Sequence, residues 1–337
     1  MAAAPRTAYN RLMRFATGRM RFTMQGSRSL LERPSRSRMR RVLVAALAAL
    51  LGASVAAAAP MRPSERFHVS YQVPEDARYR TLHRELRASH LLEEVRGVLA
   101  PVHLPRTVTL ALVECDGDAN AYYDPDELSV SVCYEYVDEL RRLATGPGKP
   151  AGITSRSAVH SKLLEIFLHE AGHALIDLRR IPVIGSQEEA ADVFADVMLL
   201  HQRDRAVRET MLGIAWMYDQ EARDSEDVHK PLADAHPLAG QRYYNTLCLA
   251  YGARPRLFAE LARDDMLPAE RAQGCGDEYR NAAYAVRKLM GPYLDFAQRE
   301  GVHLASGAGR HAAPRKPTAA GATRSSTKSS RRAPGPM

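Results

Sequence analysis

Residues 166–176 read Ile166-Phe167-Leu168-His169-Glu170-Ala171-Gly172-His173-Ala174-Leu175-Ile176. Together with Leu163 and Leu164, the apolar residues leave no wide polar stripe, so the segment reads as a helix buried nearly all round. Residues four apart share a helix face, which lets His169 and His173 point at one ion. Glu170 lies one residue on, where a carboxylate reaches a water on that ion rather than the ion itself. The plain alternative is a pair of helix histidines and a surface glutamate. It fits an apolar helix poorly, because buried His and Glu need partners.

A catalytic zinc takes three protein ligands and keeps a position open for water. The continuation H-E-x-x-H-x-x-G-x-x-H is excluded, since Ile176 and Arg179 occupy its Gly and last His positions. The remaining common solution is a glutamate on the next helix. Ser186 can cap that helix, and Glu188-Glu189-Ala190-Ala191-Asp192 opens it. Glu188 is the expected third ligand, with Glu189 the alternative. Asp192, one turn further, is expected to accept the free N–H of a ligand histidine. Ala190 and Ala191 let the two helices approach closely. Against this, Glu188 and Glu189 could merely favour a helix N-terminus.

Further along stand His236-Pro237 and Arg242. A His or Arg near the metal can stabilise the oxyanion formed when water attacks a peptide carbonyl. The alternatives are a capping His and a surface Arg. His160 and His201 read as ordinary surface or packing residues.

Outward from this centre, the ends separate from the middle. Residues 1–41 hold eleven Arg and one acid, and residues 42–59 are uncharged and end in small residues. That is the pattern of a secretory signal, with cleavage expected after Ala58 and with Met39 an alternative start. An uncleaved inner-membrane anchor is the competing reading, although an 18-residue Ala-rich run is marginal for spanning. Residues 302–337 carry seven Lys/Arg, no acid and many small residues, the composition of a disordered basic tail. Setting aside +10 for residues 1–41 and +7 for the tail turns the total of +8 into −9 for residues 60–301. The folded part is therefore acidic, and a nucleic-acid partner is not expected.

Four cysteines in an exported chain favour disulfides. Of the three pairings, Cys115–Cys133 and Cys248–Cys275 are expected, because each brackets a short local unit. Phe67–Val73, Thr107–Val113 and Leu128–Tyr136 read as strands. Ala77–Leu99 has helical spacing, and from about Ser157 the chain reads as helical almost to Phe296, with helices near 157–178, 190–207, 209–221, 237–251, 256–264 and 277–297.

The motif His169-Glu170-x-x-His173, with Glu188-x-x-Ala191-Asp192 and His236-Pro237-x-x-x-x-Arg242, resembles the gluzincin clan in the manner of Ste24/HtpX-type endopeptidases. The stretch from about Phe67 to Phe296 more closely resembles a bacterial family of exported "putative metallopeptidases", a domain of unknown function. Asn120-Ala121-Tyr122-Tyr123-Asp124-Pro125 and Tyr243-Tyr244-Asn245 through Cys248 carry that likeness beside the motif itself. The resemblance implies His169, His173 and Glu188 as ligands of Zn²⁺, Glu170 as general base, and His236 and Arg242 as transition-state or structural partners. The transmembrane helices of the Ste24/HtpX-type enzymes have no counterpart here beyond the leader.

The expected fold is α+β, a small N-terminal sheet of about three strands packed on a mainly helical zincin-like domain over residues 60–301. The expected function is an exported zinc peptidase acting on peptide or protein substrate, with Leu128–Tyr136 as the edge an extended substrate pairs with. A non-catalytic exported zinc-binding or interaction protein is the alternative.

Overall fold

The protein is described here by a computed structural model covering residues 63–224, 234–263 and 266–295. The leader, the signal segment and the basic tail expected at the two ends lie outside the described residues. After a short helical turn come β1 (Phe67–Tyr71), α1 (Arg80–Ala88), α2 (Leu91–Val98), β2 (Val108–Val113), β3 (Ala121–Asp124), β4 (Ser129–Cys133) and α3 (Tyr134–Leu143). The remainder is helical: α4 (Ser155–Arg179), α5 (Gln187–Leu200), α6 (Asp204–Asp224), α7 (Ala239–Ala253), α8 (Ala259–Arg263) and α9 (Ala269–Leu289). The fold is α+β, a small sheet packed on a mainly helical body.

The sheet has four strands in the order β1-β2-β4-β3, one more than expected. β1 and β4 run parallel to β2, and β3 is antiparallel to β4. Parallel neighbours need a crossover, and α1 with α2 supply the one between β1 and β2. The additional strand, Ala121–Asp124, is only four residues long and follows the Asp116-Gly117-Asp118 turn, too short for alternation to reveal. It takes the edge, so β4 is interior and the expectation of Leu128–Tyr136 as the sheet's free edge is corrected. Strand β4 also ends sooner than its alternation suggests. Tyr134, Val137, Leu140 and Leu143 are buried at helical spacing, and α3 starts directly after Cys133.

The expected helix over 77–99 is interrupted at His90, whose left-handed backbone (φ 57°) separates α1 from α2. In the helical half, α5 stops at Leu200, α6 starts earlier than expected, and α9 begins at Ala269 rather than near residue 277. The cysteines pair as Cys115–Cys133, stapling the chain just beyond β2 to the end of β4, and Cys248–Cys275, joining α7 to α9.

Helix α4 is the axis of the body. Thr154 caps it, accepting from the Ser157 amide at 3.0 Å while Ser157 Oγ accepts from the Thr154 amide at 3.0 Å. The helix packs against α3, α5 and α6 and against both β3 and β4, which is why nearly every side chain from Ala158 to Ile176 is buried. Arg180 turns left-handed (φ 51°) to end it. Ser186 then caps α5, its hydroxyl accepting from the Glu188 amide at 3.1 Å. Among the described residues, no helix is long and apolar enough to cross a membrane.

Candidate metal centre

Helices α4 and α5 meet at Gly172. A Cβ built on this residue would lie 3.1 Å from a Phe194 ring carbon and 3.3 Å from the Ala191 Cα. That contact brings the first turn of α5 against the middle of α4, opposite His169 and His173. There, His169 Nε2 lies 3.1 Å from His173 Nε2 and 3.2 Å from Glu188 Oε2, and His173 Nε2 lies 3.1 Å from the same oxygen.

Three acceptor-type atoms converging this closely call for a shared cation. Tetrahedral donors about 2.0–2.2 Å from a zinc stand about 3.3–3.6 Å from one another. The observed separations fall just below that range, and the donor set is a mixture of imidazole and carboxylate that suits the ion.

The histidine tautomer follows from its outer partner. His169 Nδ1 donates to Asp192 Oδ1 at 2.7 Å, which leaves Nε2 facing the centre. Arg242 Nη2 donates to the same Asp192 oxygen and, at 3.3 Å, to Glu165 Oε1. The guanidinium therefore braces Asp192 and Glu165, and Arg242 also lines the cavity that holds His169, Glu170 and His236. Hydrogen bonds from His169, His173 and His236 hold the Glu188 carboxyl far below the usual carboxylate range. Burial pulls the His169 ring down, but the acceptors on Asp192 and Glu188 outweigh it and raise the metal-free ring to about 9.

Glu170 is buried at 8 % exposure, and that burial raises its carboxyl above the ordinary value of 4.5. It lines a cavity of 240 Å³ with His169, His236, Asn120, Ala121 and Tyr136. The edge strand therefore begins at the mouth of the site. His236 stands over the centre, its ring stacked on His169 at 5.6 Å between centroids. Its Nε2 lies 3.0 Å from Glu188 Oε2, and its Nδ1 donates to Asp234 Oδ1 at 2.9 Å. Donor atoms of His169, His173 and Glu188 all lie within 4.8 Å of one another, as do those of Glu165, His169 and Asp192, and His236 belongs to neither set.

Of the expected site residues, the structure brings His169, Glu170, His173, Glu188, Asp192, His236 and Arg242 together. Glu189 is exposed and lines a separate, larger cavity beside Pro237 and Tyr244. His160 pairs with Glu94 at 2.9 Å, and His201 Nδ1 donates to its own helix at Val197 O. Sequence reasoning missed Asp234, Lys162, Glu165 and Tyr218, the last of which announces itself only through its contacts with Glu165 and Arg242. Asp234 was findable as an acid two residues before His236. Lys162 and Glu165 were findable as charges on a helix otherwise apolar all round.

Such a centre, built on H-E-x-x-H with a glutamate from the following helix, belongs to the metallopeptidase type. The chain is a member of the family described as "Putative metallopeptidase", whose model matches residues 71–290. No curated protein and no solved structure matches it significantly.

Proposed function

We propose that this is an exported zinc endopeptidase of the gluzincin type. The single observation that carries the reading is the convergence of His169 Nε2, His173 Nε2 and Glu188 Oε2 to within 3.2 Å of one another, beside the buried Glu170. The export part rests on the basic and apolar segments of residues 1–59, with cleavage after Ala58.

His169, His173 and Glu188 would hold the ion. When bound, zinc lowers the pKa of water and polarises the carbonyl under attack. Glu170 takes the proton from the attacking water and passes it to the leaving amine. Its raised carboxyl, caused by burial, suits a group that must carry a proton between the two steps. His236, with Nδ1 fixed by Asp234, turns Nε2 toward the centre, where its protonated form donates to the oxygen on which charge develops. Asp192 fixes the His169 ring, and Arg242 fixes Asp192. An extended substrate pairs along the free side of β3, whose first residue Ala121 lines the cavity.

The rival, a non-catalytic zinc-binding protein, has one observation in its favour: His236 Nε2 approaches Glu188 closely enough to suggest a fourth ligand that would close the site. The two readings part on His236→Ala, which keeps its zinc if His236 serves substrate and loses affinity if His236 binds metal.

The test of the leading reading is zinc content together with cleavage of an unfolded casein-like protein, for wild type and Glu170→Gln. A wild type without zinc contradicts the site. Equal activity in both contradicts the mechanism.

A further inference from the structure

Beside His169, lining the same cavity as Glu170, lies a buried charge cluster that the proposed reaction does not use. Lys162 and Glu165 stand on α4 two turns and one turn before His169, on its face of the helix. Lys162 is 1 % exposed, and its Nζ lies 3.1 Å from Glu165 Oε2 and 3.6 Å from Glu221 Oε1. The same Nζ lies 3.3 Å from the centroid of the Tyr218 ring, and the Arg242 guanidinium carbon lies 4.5 Å from that centroid. One aromatic ring on α6 thus holds two cations from two other helices.

The hydrogen bonds give this cluster a direction. Tyr218 OH donates to Glu165 Oε1 at 2.7 Å. That oxygen also accepts from Arg242 Nη2 at 3.3 Å. The same Nη2 donates to Asp192 Oδ1, and that oxygen accepts from His169 Nδ1 at 2.7 Å. Two carboxylates therefore share one guanidinium nitrogen. The longer contact is with Glu165, whose oxygens are also served by Lys162 and Tyr218. A fully buried lysine is costly unless what it pairs with needs it.

We infer that Lys162 and Tyr218 are positioning residues of the metal centre: by the ion pair and the hydrogen bond they give Glu165 they leave Arg242 with Asp192, and so fix the ring of His169 and the affinity for the ion. This rests on the metal reading of His169, His173 and Glu188. Without Lys162, Glu165 becomes an unbalanced buried carboxylate and draws Arg242 toward itself. Asp192 then loses its partner, and His169 loses its orientation. Replacing Glu165 by Gln at the same time removes the competitor and returns Arg242 to Asp192.

The test uses the full exported chain. Tyr218→Phe keeps the ring under both cations and removes only the hydroxyl; Lys162→Met and Lys162→Met/Glu165→Gln remove the charge alone and with its partner. The zinc dissociation constant is read by competition with a chromophoric chelator. The melting temperature of the metal-free protein and the visible spectrum of the cobalt-substituted protein are read alongside. Loss of such outer partners weakens metal binding by about 10–100-fold. Tyr218→Phe is expected at the low end of that range and Lys162→Met at the high end. Both should show an altered cobalt spectrum, and the double variant should recover most of the loss. Should Lys162→Met fail to fold, Tyr218→Phe and the double variant carry the test. Wild-type zinc affinity and cobalt spectrum in Tyr218→Phe overturn the inference, as does a double variant that binds no better than Lys162→Met. A wild type that takes up no metal overturns the metal reading and this inference with it, whereas tight binding by wild type and variants alike overturns this inference alone.

Discussion

Gly172 on α4 and Ala191 on α5 meet so closely that a methyl group on the glycine would sit 3.3 Å from the Ala191 Cα. Ala191 is fully buried and lies between Glu188 and Asp192, the two α5 residues that reach the histidines. The distance between the helix axes at this point sets the distance between Glu188 and the histidine pair.

Widening that contact should open the metal centre. Gly172→Val places branched carbon against Ala191 and Phe194, an overpacking that costs about 1–3 kcal/mol. The expected result is a lower melting temperature and zinc affinity reduced by at least about tenfold. Titration with a chromophoric chelator measures the second effect, and unchanged affinity would show that Gly172 does not set the ligand spacing.

His236 and Asp234 form the pair proposed to face substrate. His236→Ala should lower kcat by about 10²–10³ while leaving zinc content intact, the loss expected for one oxyanion donor. Asp234→Asn should give a smaller fall in the same direction, since it loosens the ring without removing it. Metal analysis beside steady-state kinetics separates this outcome from that of a metal ligand.

The metal-free protein should carry a pH signature of His169. Its folded value of about 9 lies above the ordinary 6.5. A group raised on folding contributes stability that is fully present below the unfolded value and is lost as pH rises through the folded one. The melting temperature of the chelator-stripped protein should therefore fall between about pH 6.5 and 9, by an amount worth at most about 3 kcal/mol. Zinc requires the deprotonated ring, so the rise in melting temperature on adding zinc should grow over the same interval. His169→Asn should flatten the metal-free curve; a flat wild-type curve would contradict the assignment.

Much of this was legible because the chemistry sits on long helices. His169 and His173 on one face, a cap at Ser186 and an acid pair one turn apart follow from periodicity and spacing, without any long-range contact. The cysteine pairs were legible because each closes a short segment. What stayed hidden depends on tertiary partners. The edge strand Ala121–Asp124 is too short to show a period and exists because β4 offers it a ladder. Tyr134-Glu135-Tyr136 alternates like a strand, yet burial of Tyr134, Val137 and Leu140 makes it helix. Lys162, Tyr218 and Arg242 lie on three different helices, and no sequence spacing announces that they share one ring. For the same reason, sequence spacing did not show that Arg242 pairs with both Asp192 and Glu165 while lining the cavity of Glu170 and His236.

The most direct measurement is the comparison of wild type and Glu170→Gln, with zinc per chain and the rate of peptide-bond cleavage read on the same preparations. The account predicts about one zinc per chain in both, since Glu170 is no ligand, and a rate lower by about 10²–10⁴ in the variant, the contribution of a general base. No zinc in the wild type, or equal rates in the two proteins, would contradict it.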